Sequence, residues 1–201
     1  MWAAADIANF GFDFNGFAPP TEDQLAEVMS FVTRRGWPFR LHTVYVSSSG
    51  SGLNVVEKVA RQVPLMGLRW GLEHCELISG RNLERMAALG GSIGVQNRIH
   101  IGSNSFLGKF GEQAARQAPP IARIREMGIP LAAGTDGNRA NSHNPWLSLY
   151  WLVTGRNAAG RQLQSEANLL ERTEALRLWT VGGAWTTSEE HIKGSLEPGK
   201  W

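Results

Sequence analysis

The sequence predicts an α/β fold: about four βα units on a parallel sheet, half the complement of a (β/α)8 TIM-like barrel. Short apolar runs alternate with amphipathic helical stretches along most of the chain, the pattern of a parallel sheet with helices outside it. Three of the four candidate strands lead into a polar residue, namely His42, His74 or Asp136, and in such folds ligands collect at the C-terminal strand edge. A complete eight-unit barrel takes about 250 residues, so four units in a chain of 201 make half of one. A doubly wound sheet fits the same alternation.

Each element has its own signal. Thr21 with Gln24 three residues on reads as a capping box. Leu25, Val28, Met29 and Val32 follow at helical spacing, and Gly36 closes that helix. Pro38 to His42 is the first strand. A Ser/Gly-rich loop follows, then a helix carrying Val55, Val56 and Val59. Gly67 to His74 is the second strand, after which Ser79 caps a helix that buries Leu83, Met86 and Ala87 and finishes at Gly90. Gly91 to Gln96 is the third strand, followed by an irregular stretch. Pro119 and Pro120 open a helix through Met127, Gly128 ends it, and Ile129 to Ala133 is the fourth strand. Asn144 and Pro145 are the cap and first residue of a helix striped by Trp146, Leu149, Tyr150 and Val153. Thr173 to Thr187 makes one or two more.

Composition narrows the function classes. Hydrophobic residues are 42% of the chain and charged residues 19%, which supports a packed core and argues against wholesale disorder. A net charge of +2 with arginines scattered along the helices leaves no nucleic-acid footprint. No apolar run reaches the length of a membrane span. The lone Cys75 rules out an internal disulfide and any Cys-based zinc cluster. It fits a reducing compartment, and the first residues lack the basic and apolar regions of a secretory leader, so a cytoplasmic location is expected. Eight tryptophans imply extensive buried aromatic surface, in a core or an interface. The irregular, Gly-rich start and the stop just after a Pro-Gly turn both read as cut ends.

His42, His74 and Asp136 form the candidate constellation. Each alone is also what a hydrogen-bonded loop residue looks like. Strand ends of a parallel sheet lie on one side, however, so the three converge on one site. Imidazole nitrogens with a carboxylate suit Zn²⁺ and similar divalent ions.

The runs FRLHTV, PLMGLRWGLEHCELIS, ERMAALGGSIGVQNR, GIPLAAGTD and KGSLEPGK together resemble the C-terminal half of the amidohydrolase superfamily, nearest to amidohydrolase family 3. The resemblance covers residues 21–200. It implies a metal-dependent hydrolase acting on carbon–nitrogen (non-peptide) bonds of a small-molecule substrate, with a divalent metal, zinc, as cofactor. His42 matches the metal-binding His after the fifth barrel strand, and His74 the one after the sixth. Asp136 matches the catalytic acidic residue after the eighth. KGSLEPGK matches the turn into a small β-sandwich, so 1–190 is expected to be a partial barrel and 191–201 an exit segment. No His-x-His pair occurs, and Thr43-Val44-Tyr45-Val46 stands where many relatives carry Gly-Asp.

Arg98, His100 and His143 are further loop residues that could touch a substrate, with surface or loop packing the favoured reading of each, and Glu73 and Glu76 flank His74 as groups that could orient it. His191 is expected to be structural and Cys75 a buried small side chain. The reading from another class is an inactive fragment or binding module, a homo-oligomer for example, pairing through an apolar open half-barrel face.

Overall fold

The computed structural model describes residues 22–137 and 141–201. Strands Arg40–Thr43 (β1), Gly71–His74 (β2), Ser92–Gln96 (β3) and Leu131–Gly134 (β4) form one parallel sheet in the order β1-β2-β3-β4. The helices, numbered in chain order, are Glu22–Thr33 (α1), Val46–Ala60 (α2), Gly80–Ala88 (α3), Arg98–Gln117 (α4), Ile121–Glu126 (α5), Pro145–Thr154 (α6), Arg172–Arg177 (α7) and Gly183–Thr186 (α8). A π-helical turn, Leu178–Gly182, joins the last two. Sequential parallel order is that of four consecutive units of a β/α barrel.

Period-2 alternation divides the sheet into two unlike faces. Leu41, Leu72, Ile93 and Leu131 are register neighbours. They pack under Val56, Leu83, Met86, Ile121, Ile124 and Trp151 in one hydrophobic core. On the other face, Arg40, Gly71 and Ser92 form one row and His42, Glu73 and Gly94 the next. Arg40 Nε donates to Glu73 Oε1, Gln96 Nε2 donates to Glu73 Oε2 at 2.7 Å, and Arg40 Nη1 reaches Ser92 Oγ at 3.4 Å. The expected apolar open face is therefore replaced by an ion pair lying across the strands. Glycines make room for it: a Cβ on Gly94 would overlap the Glu73 carboxylate, and one on Gly71 would lie 2.5 Å from Ser92 Oγ.

The element order matches the expectation, with several local corrections. β1 runs one residue past His42, to Thr43. The Ser/Gly-rich run is the start of α2, not a loop. Its small residues let α3 approach: Asn82 Nδ2 donates to Val46 O at 3.3 Å and Ser49 Oγ at 3.0 Å. The stretch after β3 is α4, a helix bent at Gly102 and Gly111, whose non-helical dihedrals mask its period. In α6 the buried face is Ser148, Trp151 and Leu152, while Trp146 and Tyr150 are 71% and 42% exposed. Ser148 turns inward because its hydroxyl donates to Gly134 O at 3.3 Å and accepts from Trp179 Nε1 at 3.2 Å. Val28 and Ala87 are likewise exposed rather than core.

Ser79 and Asn144 cap α3 and α6 as expected; Thr21 lies outside the described residues. Trp70 and Trp151 are fully buried, whereas Trp37, Trp146 and Trp201 are largely exposed. The last residues fold back beside the α2–β2 loop, where Arg69 pairs with both carboxylate oxygens of Glu190 at 2.6 Å. Lys200 Nζ there donates to Glu190 O and Ser195 Oγ, each at 2.8 Å. No helix among the described residues is long and apolar enough to cross a membrane.

Two glycine substitutions should move stability in opposite directions. Gly94→Ala forces Glu73 out of its place and should cost about 1–3 kcal/mol. Gly108 lies in α4 with nothing within 4 Å of a built Cβ, so Gly108→Ala should stabilise by about 0.5–1 kcal/mol. Urea unfolding midpoints check both, and a loss at Gly108 or none at Gly94 refutes the packing described.

Candidate functional site

The site forms where β1, β2 and β4 end. His42 follows the alternation and lies on the Arg40 side of the sheet. His74 would by the same rule point to the helix side with Leu72, away from His42. The chain leaves β2 in a left-handed conformation instead: φ is +74° at His74 and +54° at Cys75. Neither is glycine, so both carry backbone strain. Cys75 N donates to Thr43 O at 2.8 Å and Leu77 N to Val44 O at 3.0 Å, tying the turn to β1. The His74 ring thereby meets His42, with His74 Nε2 and His42 Nδ1 2.8 Å apart and the rings edge-to-face at 4.3 Å.

Asp136 lies two residues beyond β4, also left-handed at φ +51°. Its loop is held by Gly137 N donating to Thr135 Oγ1 at 3.0 Å and by Asn141 Nδ2 donating to Asn97 Oδ1 at 2.7 Å. The second of these bonds fixes the Asp136 loop to the end of β3. Arg98 enters the same space from the first residue of α4. Its Nε is 3.8 Å from Asp136 Oδ2, and its Nη1 is 3.6 Å from Glu76 Oε1.

These neighbours set the charges. Burial, with the Arg98 cation second, lowers the His42 pKa to about 4. His74 is lowered to about 2 by burial, then by Arg98, then by His42, while nearby Gln96 works the other way. Both rings are therefore neutral at pH 7 and carry the lone pairs a divalent ion needs. Burial raises the Asp136 carboxyl, Arg98 opposes that, and Glu73 adds to it.

The imidazole pair fits a divalent ion as two adjacent neutral donors. His74 Nδ1 is buried without a hydrogen-bond partner among the described residues. Their separation is slightly shorter than the roughly 3–4 Å between ligand atoms sharing a zinc at about 2.0–2.2 Å, because the rings bond to each other. Among the described residues no group of three His, Cys, Asp or Glu side chains is arranged to hold a metal: Asp136 shares the edge but faces Arg98.

The other residues singled out in the sequence separate. Glu73 turns to Arg40 and Gln96 rather than to His74. His100 is buried, its Nδ1 2.8 Å from Arg156 O. It lines a cavity of about 400 Å³ with Ile101, Leu147 and Tyr150. His143 and His191 are exposed. Cys75 is fully buried, and burial pushes its thiol up out of the reactive range. The sequence reading gave no role to Arg40 or Gln96. Their signal was polar side chains at alternate positions, Arg40 and His42 in β1 and Ser92 and Gln96 in β3.

The sequence pattern of a family described as "Amidohydrolase family" matches residues 2–201. A 5-methylthioadenosine/S-adenosylhomocysteine deaminase of Teredinibacter turnerae is 27% identical over 135 residues, which is 67% of this chain and 28% of that protein. A Pyrococcus horikoshii protein described as an uncharacterized metal-dependent hydrolase superposes with a TM-score of 0.74 at 21% identity, over 90% of this chain and 36% of its own. An adenosine deaminase of Xanthomonas campestris with bound zinc gives 0.57 at 19% identity, over 90% and 39%. The two structural likenesses establish the fold. The chain spans about a third of the length of these proteins.

The lowered imidazole pKa values predict a pH-dependent stability. Both folded pKa values lie below the ordinary 6.5, so the unfolded chain binds protons first and stability falls as pH drops from 6.5 towards 4. The raised Asp136 acts in the opposite sense at the acid end. Urea midpoints between pH 7.5 and 4.5 should decline, and His74→Gln should flatten the decline. A flat wild-type profile would place the rings in solvent.

Proposed function

The chain belongs to the amidohydrolase family, and on that premise we propose that it supplies one wall of the active site of a hydrolase of carbon–nitrogen bonds in small molecules. The observation that carries the reading is the pair of neutral imidazoles, His74 buried and His42 partly buried, meeting at the C-terminal edge of the sheet, with Asp136 on the same edge. His42 and His74 would hold the divalent ion, and the mixed imidazole–carboxylate chemistry favours zinc. When bound, such an ion polarises a carbonyl-type group and makes water acidic enough to attack at neutral pH.

The chain's own residues supply the rest. The β2 turn fixes the direction of the His74 ring, and the buried setting keeps both imidazoles deprotonated. Asp136 takes a proton from the attacking water at a carboxylate oxygen and returns it to the departing nitrogen. A base whose pKa is raised towards the working pH performs both transfers better than an ordinary carboxylate. Arg98, Glu76 and Asn97 crowd this edge with polar groups whose places are set by β2, β3 and α4. The proposed substrates are small molecules with a hydrolysable C–N bond. The polar inner face, with its ion pair, gives a separate binding-module role no support.

Two measurements test this. The chain should bind zinc with a dependence on both imidazoles, His42→Ala and His74→Ala each weakening it at least about tenfold, consistent with the share of affinity one ligand carries. When the remaining barrel wall is provided by a relative's N-terminal half, Asp136→Asn should keep the zinc and lower kcat by about 10²–10⁴. Zinc binding indifferent to both histidines, or near-normal turnover in the Asn variant, would overturn the assignment.

A further inference from the structure

Arg98 is a cation at this edge, and it has no part in the roles just assigned. Its side chain is 16% exposed and lies between two carboxylates, at 3.6 Å from Glu76 and 3.8 Å from Asp136. Both distances are ion-pair separations, longer than a hydrogen bond, so the guanidinium attracts the carboxylates without being bidentately locked to either. The same charge acts on both imidazoles. A divalent cation seated on His42 and His74 would therefore meet a guanidinium of like sign. Arg98 attracts Asp136, the carboxylate that the proposed function sets beside that cation.

We propose that Arg98 is a positioning residue that sets the metal affinity of this site by competing with the metal for Asp136. Arg98 draws the Asp136 carboxylate towards itself, 3.8 Å away. A metal held by His42 and His74 would compete with Arg98 for that carboxylate, while Glu76 would stay beside the guanidinium. Glu76 suits this part because its side chain is 3% exposed on the β2 turn, out of solvent and close to Arg98. Asp136, 38% exposed on its loop, is the carboxylate with room to change partner. The inference rests on the metal reading above and goes beyond it by assigning a sign: Arg98 should oppose binding.

A residue that merely scaffolds the loop would do the reverse, since losing it would loosen Asp136 and weaken binding. Calorimetric titration of the 201-residue chain with Zn²⁺ distinguishes the two. Arg98→Gln should bind zinc about tenfold more tightly or better, because a like charge within a few ångströms is removed in a partly buried site. Arg98→Lys, which keeps the charge, should stay within about threefold of the parent. Raising the salt concentration should shrink the gap between Arg98→Gln and the parent. His74→Ala in each background should remove the binding, which ties the signal to this site. If Arg98→Gln does not fold by circular dichroism, Arg98→Met is read on the same terms. Unchanged or weaker zinc binding by the folded neutral variant overturns the competition while leaving the metal site standing. No histidine-dependent binding in any folded variant overturns both.

Discussion

The site depends on how the chain leaves β2. An extended His74 would continue the alternation and put its ring among the helices with Leu72, while His42 stayed on the Arg40 side. Two consecutive left-handed residues prevent this, at a cost of about 1–3 kcal/mol each. What holds them is local. The Cys75 amide bonds the Thr43 carbonyl at 2.8 Å, its thiol meets Thr43 Oγ1 at 3.4 Å, and the side chain is fully buried. Cys75 thus acts through size and burial, not reactivity. Strain kept at a strand end, where it aims a ring, accords with a site rather than with a scaffold.

Beneath the imidazoles the inner face keeps charge under control. Glu73 is the register neighbour of His42, and an unengaged carboxylate there would favour the protonated ring. Arg40 and Gln96 instead draw both Glu73 oxygens along the sheet, and the His42 pKa is lowered. A partly buried ion pair of this kind is weak support for stability; the His42 ring is kept neutral by burial and by Arg98. Gly71 and Gly94 belong to the same arrangement, since neither position has space for a Cβ. The polar interior and the missing side chains are thus one feature seen from two positions.

The element order, the sheet, the two caps and the edge shared by His42, His74 and Asp136 were all legible in the sequence. Strand alternation and Ser79 or Asn144 before a helix are local signals, and strand ends of a parallel sheet lie together by topology. Harder to read was whatever a partner decides. Ser48, Ser49 and Gly50 look like a loop until Asn82 packs on them. Ser148 looks like the polar side of α6 until Trp179 and the Gly134 carbonyl claim its hydroxyl. Periodicity in α4 is broken at Gly102 and Gly111, so a 20-residue helix reads as irregular. The left-handed turn at His74 had no clear signal of its own, because it carries no glycine, the residue that marks such conformations most plainly. The placement of Arg98 against Asp136 joins loops from two different strands, and no spacing in the sequence announces it.

The three candidate residues differ in how far they can move, and that ordering bears on mechanism. His74 is nearly buried, and its backbone is tied to β1 by the turn that aims it. His42 stands within β1, so its direction is fixed by the sheet. Asp136 is the most exposed of the three and lies beyond the last ladder contact of β4, on a loop pinned at Gly137 and Asn141. A group that must accept a proton, turn and deliver it elsewhere is best placed where the backbone is held and the side chain is not. Under the proposed function, rigid imidazoles beside an adjustable carboxylate would divide holding from proton transfer between the sheet and its loop, the division that hydrolysis through an activated water requires.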